Sequence, residues 1–422
     1  MLSLQSLLGV GAIIALAWSM SERRGAVRWR SIIVGTLLQF CFAVALIKVP
    51  PIRDAFAVLN GVVITLNDAT RAGTSFVFGY VGGADAPFAP GGPGSPYVFA
   101  FQSLPLILIV SSISALLFHW NIIPPVVRGF AWILRRTIGV DGPAGVCTTM
   151  NIFVGMVEAP LVIRPYLIAE SRAGLFVIMT AGMAMVAGTV MVLYATLLEG
   201  LIPNPLGQII TASILSAPGT IVIAFLMVPE EPGAPSGHDR DAAVILPRKP
   251  GDNMMSVVTR GTLDGAQLII NIIAMLVVLI ALVALVNNLI GHLPDVFGAP
   301  LTLQRMLGWV MSPLAWLIGI PWSEAPTAGA LLGTKAVLNE VIAYTELAHL
   351  PPDDLSQRSR LIMTYALCGF ANLSSIGIMI GGMGAMVPER RADIVAMAPK
   401  SMLSGTLATC MSAAMVGLLT PM

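Results

Sequence analysis

Two glutamates stand where a chain rarely puts them. Glu158 lies in NIFVGMVEAPLVIRPYL (151–167) and Glu340 in GALLGTKAVLNEVIAYTEL (329–347), each inside a run of apolar and small residues. A carboxylate accepts hydrogen bonds from hydroxyls and attracts cations, but at bilayer depth it costs about 2.5–3.5 kcal/mol even on the lenient insertion scale. Two such groups ask for a protein-lined polar cavity. The plainer alternative pairs Glu158 with Arg164 and Glu340 with Lys335, merely to hold a hairpin together. Neighbouring polar groups favour a site instead. Asn151 and Asn339 precede the glutamates, and Phe370-Ala371-Asn372-Leu373-Ser374-Ser375 is the densest polar run in any apolar stretch. Alone, such Asn and Ser residues often only cross-link membrane helices; beside Glu340 they read as part of a site.

The segments that carry these residues share one grammar. Each begins with a Gly/Ala/Pro-rich string, GPAG at 142–145 and APTAGA at 325–330, then passes an Asn and a Glu. A long apolar stretch follows, interrupted by AGTV at 187–190 in the first case and by GFANLSSIGI at 369–378 in the second. Corresponding interrupted segments in two halves of a membrane chain point to an inverted-repeat transporter with its site near mid-bilayer. Lipid offers no partner to a free N–H or C=O, so re-entrant or unwound backbone survives there only against protein or a wet cavity. The freed groups then become ligands: half-helix N-termini for electron-rich groups, loose carbonyls for cations.

Composition agrees. The chain has 422 residues, 56% hydrophobic and 11% charged, with 23 Lys+Arg against 22 Asp+Glu and a net charge of +1. Soluble domains carry roughly 25% charged residues, and the mean hydropathy here is +0.85. An ordinary soluble enzyme is excluded, and so is a nucleic-acid partner, which needs a basic face. At about 20 apolar residues per crossing, candidate spans fall near 3–20, 31–49, 104–120, 172–200, 206–228, 266–291, 358–380 and 394–420. The stretches 55–66, 124–137, 139–167 and 312–345 are too short or too broken to cross alone and read as interfacial or re-entrant. The first span lacks a basic leader and a cleavage site and reads as retained. The fold class is therefore an all-α polytopic membrane protein of about eight transmembrane helices, two re-entrant hairpins in inverted-repeat arrangement and interfacial helices.

Arg23, Arg24, Arg28 and Arg30 in the first loop predict that residues 21–30 and 229–260 are cytoplasmic and both termini periplasmic. Arg358 and Arg360 fall on the opposite side and conflict mildly with that orientation. The Pro/Gly/charge-rich stretch 229–252 reads as a linker, and 82–96 as a loop. Cys41, Cys147, Cys368 and Cys410 show no metal or disulfide spacing and read as small buried hydrophobes. The 23 Met residues read as packing, and His119, His238, His292 and His349 sit at span edges or in loops, against a histidine proton relay.

The strings 151–167, NEVIAY (339–344) and ALCGFANLSSIGIMIGGMGAMVPERR (366–391) resemble the signature stretches of the concentrative nucleoside transporter family. WRSIIVGTLLQF (29–40) and AGTSFVFG (72–79) resemble weaker ones, so the likeness runs along nearly the whole chain. Bacterial members of that family have eight spans, two opposed hairpins and a homotrimeric assembly in the inner membrane, and the resemblance implies the same here. It makes Glu340 a ribose-hydroxyl ligand, with Asn372 and Ser375 completing the sugar site, Phe370 beside the nucleoside and Val190 on the base. On the first hairpin Glu158 matches the glutamate near the base. Asn151 matches a sodium ligand, with the carbonyls of Val154 and Val186 beside it. No organic cofactor is implied, only a coupling ion.

Two departures stand out. The family reads Gly-Gln-Thr-Glu on the first hairpin and this chain reads Gly155-Met156-Val157-Glu158, which removes the amide and hydroxyl that would face a nucleobase. Met185 falls where the family places a Ser or Thr hydroxyl on sodium, and a thioether suits a hard cation poorly. Sodium coupling and proton coupling through Glu158 or Glu340 therefore both stand. The leading functional reading is a secondary active nucleoside symporter with alternating access around a mid-bilayer site. The alternative is a transporter-like sensor or gate that binds without flux; an intramembrane hydrolase finds no activated nucleophile. The chain divides into scaffold and interfacial helices over 1–137, a first transport half over 138–200 and scaffold helices over 201–311 with the linker at 229–255. A second transport half over 312–380 and a final scaffold helix over 381–422 complete it.

Overall fold

The computed structural model describes residues 2–85, 87, 97–230, 253–296, 298 and 300–420. The predicted linker and the 82–96 loop fall largely outside the described residues. The chain is all-α, beginning with α1 (Leu2–Ser19), α2 (Trp29–Lys48), α3 (Pro50–Phe78), α4 (Phe99–Gln102), α5 (Leu106–His119) and α6 (Ile123–Ile138). The first hairpin and interrupted helix follow as α7 (Gly142–Met150), α8 (Glu158–Val162), α9 (Arg164–Leu167), α10 (Arg172–Ala184) and α11 (Gly188–Leu197). After α12 (Pro205–Met227), α13 (Met254–Ile290) and α14 (Leu303–Leu317), the pattern repeats. Its second copy is α15 (Ala325–Val337), α16 (Glu340–His349), α17 (Gln357–Leu367) and α18 (Leu373–Met386), closed by α19 (Arg391–Leu419).

Seven helical stretches among the described residues are long and apolar enough to cross a bilayer: 2–19, 29–48, 99–119, 172–197, 205–227, 254–290 and 388–419. The eighth predicted span is the broken pair α17–α18. Some boundaries differ from the sequence reading. The stretch 55–66 belongs to a 29-residue helix, α3, which starts on prolines whose missing N–H groups cost nothing in a first turn. α13 begins well before 266, where Asn253 caps it by accepting from the Ser256 N–H at 2.7 Å. The stretch 312–345 is divided, because α14 ends at Leu317 and the hairpin starts only at Ala325. Cys41 is exposed rather than buried, unlike Cys147, Cys368 and Cys410.

Arg358 and Arg360 owe their place to packing, not to orientation in the membrane. Arg358 donates to the carbonyls of Thr420 (2.9 Å), Gly319 (2.5 Å) and Gly417 (2.6 Å). Arg360 is buried and donates to those of Leu355 (3.1 Å), Leu347 (3.4 Å), Leu350 (3.1 Å) and Pro351 (2.6 Å). Each guanidinium satisfies carbonyls at helix ends and turns that lipid would leave bare.

Among the described helices, two sets of contacts position the site. α13 lies along α5, where Gly261 brings the backbones so close that a Cβ would sit 2.9 Å from the Ser111 carbonyl. Ser112 and Thr262 hydroxyls join the same pair at 2.9 Å. The rest of α13 is apolar and largely exposed. α19 packs against α1, α2, α10, α12, α17 and α18. The sequence reading makes 381–422 a scaffold helix, yet α19 runs through the middle of the interrupted helices. Ser404 meets Thr180 at 3.1 Å, a Cβ on Gly405 would stand 2.5 Å from Met183 Cβ, and Ser412 bonds Gln39 and Ser216 at 3.1 and 3.2 Å.

Candidate substrate and cation site

The second hairpin turns at Leu338-Asn339. Asn339 takes extended backbone and its side chain accepts the Ile342 N–H at 3.0 Å, so α16 starts at Glu340. The carboxylate thus stands in a first helical turn, where free N–H groups favour negative charge. Glu340 is 4% exposed. Its Oε1 accepts from the Tyr194 hydroxyl at 2.7 Å and its Oε2 from Asn372 Nδ2 at 3.0 Å. Asn372 is itself the cap of α18: its Oδ1 accepts from the Ser375 N–H at 2.8 Å and the Ser374 hydroxyl at 2.7 Å. Two half-helix N-termini, each opened by an asparagine, therefore meet at one carboxylate.

Glu340, Asn372 and Ser375 lie together. Ser375 joins through its backbone N–H. Phe370 is half-buried two residues before Asn372, whose N–H donates to the Phe370 carbonyl at 2.8 Å. Val190 is buried one turn before Tyr194 on α11, hence on the face that looks toward Glu340. The sequence reading missed Tyr194. Its signal was a phenol in an otherwise apolar stretch four residues after Val190, and its ring packs on Tyr344 at 4.9 Å between centroids. A carboxylate has about four acceptor positions, so with one donor on each oxygen Glu340 is oriented and still able to receive two hydroxyls.

The first hairpin seats its tip on the other break. A Cβ on Gly188 would lie 2.5 Å from the Phe153 carbonyl, so only glycine lets the tip rest on the start of α11. Met156 is buried against Gly182, whose added Cβ would stand 3.0 Å from Met156 Cβ, and close to Met379. Val157 fills the notch at Gly382, where a Cβ would meet it at 2.8 Å. The two apolar departures thus pack into glycine gaps on α10 and α18. Glu158 is exposed at the first turn of α8 and its carboxylate folds back over Gly155. Among the described residues it makes no hydrogen bond to the Glu340 cluster.

The simple pairing of each glutamate with a nearby cation is not seen among the described residues. Arg164 donates to the Met386 carbonyl at 3.2 Å, and Lys335 to the Ala366 carbonyl at 2.8 Å. Asn151 is buried with its Nδ2 on the Cys147 carbonyl at 3.2 Å, and Val154 is half-buried beside it in the tip. Met185, in extended backbone, and Val186 are buried at the break that ends α10. The two breaks touch: a Cβ on Gly369 would stand 3.0 Å from the Ala184 carbonyl. Hairpin tips, broken ends and freed carbonyls are thereby gathered where α10–α11 crosses α17–α18.

Residues 8–81 match the N-terminal and residues 208–417 the C-terminal model of sodium-dependent nucleoside transporters, and residues 100–200 match a model described as nucleoside recognition. The chain is 34% identical to the nucleoside permease NupC of Helicobacter pylori, across 99% of this chain and 97% of that protein. It is 32% identical to sodium/nucleoside cotransporter 2 of Rattus norvegicus, across 98% of this chain and 62% of the longer relative. The fold is similar to CNTnw in an inward-facing substrate-bound state, with a TM-score of 0.88 at 36% identity over 99% of this chain and 98% of that one. A variant of CNTnw in an outward-facing state gives 0.89 at 36% identity over 99% and 97%. With models covering most of its length and a full-length permease relative, this chain belongs to the concentrative, sodium-dependent nucleoside transporter family.

Proposed function

We propose that the chain carries nucleosides into the cell as a cation-coupled symporter. The observation that carries this reading is the buried Glu340 carboxylate, held by Tyr194 and Asn372 with acceptor capacity left over. Vicinal ribose hydroxyls would complete that cluster through charge-assisted bonds. Asn372 and Ser375 lie beside the sugar in this reading, Phe370 and Val190 beside the rings. Glu158, with Met156 and Val157 packed behind it, borders the base. The coupling cation is assigned to Asn151 and the carbonyls of Val154 and Val186. Met185, buried at that break, brings sulfur in place of oxygen, and this favours proton coupling through Glu340 or Glu158 as the second reading.

Alternating access around this site completes the reading. The hairpins, interrupted helices and α1, α2, α12 and α19 move as one body along the α5–α13 pair, exposing the site to each side in turn. Family membership supports assembly as a homotrimer in the inner membrane, and the first-loop arginines support residues 21–30 and 229–260 as cytoplasmic and the termini as periplasmic. The test is uptake of labelled nucleosides into proteoliposomes under sodium and proton gradients imposed separately. Uptake against the nucleoside gradient is expected with one of them and its loss in Glu340→Gln. Binding without gradient-driven uptake of any nucleoside would favour a sensor.

A further inference from the structure

Lys335 is 1% exposed, fully buried in the second hairpin, and no step above uses it. A lone ammonium at that depth is costly unless acceptors surround it. Its surroundings are the end of a broken helix. The last four carbonyls of a helix have no partner within it, and at the end of α17 each finds one. The Thr364 carbonyl accepts from the Tyr344 hydroxyl at 2.7 Å and the Ala366 carbonyl from Lys335 Nζ at 2.8 Å. The Tyr365 and Leu367 carbonyls accept from the N–H groups of Cys368 (3.2 Å) and Gly369 (2.8 Å). Lys335 Nζ also donates to Thr409 Oγ1 of α19 at 3.2 Å, whose own hydrogen goes to the Thr406 carbonyl at 3.0 Å. One ammonium thus ties the hairpin, the broken helix and α19 together.

The first half of the chain lacks this device. α10 is the counterpart of α17 and ends on Ala181–Ala184; among the described residues no side chain donates to those four carbonyls. The charge that the second hairpin brings on a tether has no tethered equivalent in the first. We infer that the Lys335 ammonium is a built-in cation. It stands at the end of α17 in the role that a mobile cation takes at the end of α10, so one mobile cation accompanies each nucleoside. This inference rests on the cation assignment made above. It predicts that removing the ammonium opens a second place for a free cation, lined by the Ala366 carbonyl and Thr409 Oγ1.

The experiment is uridine binding and uptake by the full-length protein across a sodium series, in wild type, Lys335→Gln and Lys335→Arg. Wild type is expected to depend on sodium with an order near one. Lys335→Gln should lose about tenfold or more in affinity at low sodium, the loss of one charged hydrogen bond, and recover at high sodium with a steeper order. Lys335→Arg, which keeps the charge, should stay closer to wild type. An unchanged Lys335→Gln, or one weakened equally at every sodium concentration, would overturn the inference. So would a sodium order of two in wild type, a reading that stands even if Lys335→Gln does not fold. A wild type indifferent to sodium but active with protons would sink only the sodium assignment. Lys335→Gln should then acquire a sodium requirement, and its failure to do so overturns the built-in cation. No nucleoside binding by wild type at all would defeat the functional reading and this inference with it.

Discussion

Tyr194 Oη stands 2.7 Å from Glu340 Oε1, joining the first interrupted helix to the second hairpin across 146 residues of sequence. The bond links the two halves of the repeat at the atom assigned to the ribose. It also fixes the carboxylate plane, since Asn372 holds the other oxygen.

Tyr194→Phe keeps the ring contact with Tyr344 and deletes only the donor. Losing a hydrogen bond to a charged group costs about 1.5–3 kcal/mol, so nucleoside KM should rise at least about tenfold. The thermal midpoint in detergent should fall by a few degrees as well, because the bond is also made without substrate. Uptake kinetics beside a melting curve check this; an unchanged KM would remove Tyr194 from the site.

Glu340→Gln should abolish measurable uptake, and wild type should discriminate against nucleosides that lack a ribose hydroxyl. A site built to bond a hydroxyl is left unpaired when it is missing. Affinity for 2′- and 3′-deoxynucleosides is expected to fall about 10- to 100-fold against the parent. Competition against labelled uridine measures it, and equal inhibition by deoxy and parent compounds would sink the ribose assignment.

Gly188→Ala drives a Cβ to 2.5 Å from the Phe153 carbonyl, a backbone atom that cannot swing aside. Overpacking of this kind costs about 1–3 kcal/mol, and the first hairpin tip should lift from the break. Cation dependence of binding should weaken more than Glu340 chemistry does. Titration of nucleoside binding with and without sodium distinguishes the two; wild-type sodium response in the variant would place the cation elsewhere.

Acid should loosen the first loop. Glu22 accepts from Arg172 Nη2 at 3.1 Å and Nε at 3.2 Å and from Lys400 at 3.3 Å, and the Arg172 hydrogen bonds hold its carboxyl below the usual value of 4.5. A lowered folded value means the contribution is full above the unfolded value and is lost as pH falls through the folded one. Glu22 is partly exposed and screened, so the effect should stay below about 1 kcal/mol. Melting curves from pH 7 to 3.5 should show a smaller acid loss in Glu22→Gln than in wild type.

Much of the site is legible in the chain. Carboxylates cannot sit in apolar runs without company, so Glu340 and the Asn372-Ser375 patch announce each other, and the Gly/Pro-rich approaches mark the hairpins. Other features leave no mark of that kind. Tyr194 looks like any aromatic residue in a span until α11 crosses α16. Met156 and Val157 read as losses at a binding surface, whereas their neighbours Gly182 and Gly382 show them to be fillers of helix–helix gaps. Arg358 and Arg360 read as orientation charges because their carbonyl partners lie 5–62 residues away.

Sequence alone determined the membrane class, the two interrupted segments and the buried glutamate of the candidate site, because burial of charge and broken helicity are costs visible residue by residue. Tertiary structure decided which donors hold that glutamate, that α19 belongs among the interrupted helices, and that Lys335 answers a freed carbonyl rather than a carboxylate. Those are contacts between segments far apart in the chain, fixed only when α10–α11 and α17–α18 cross at their breaks.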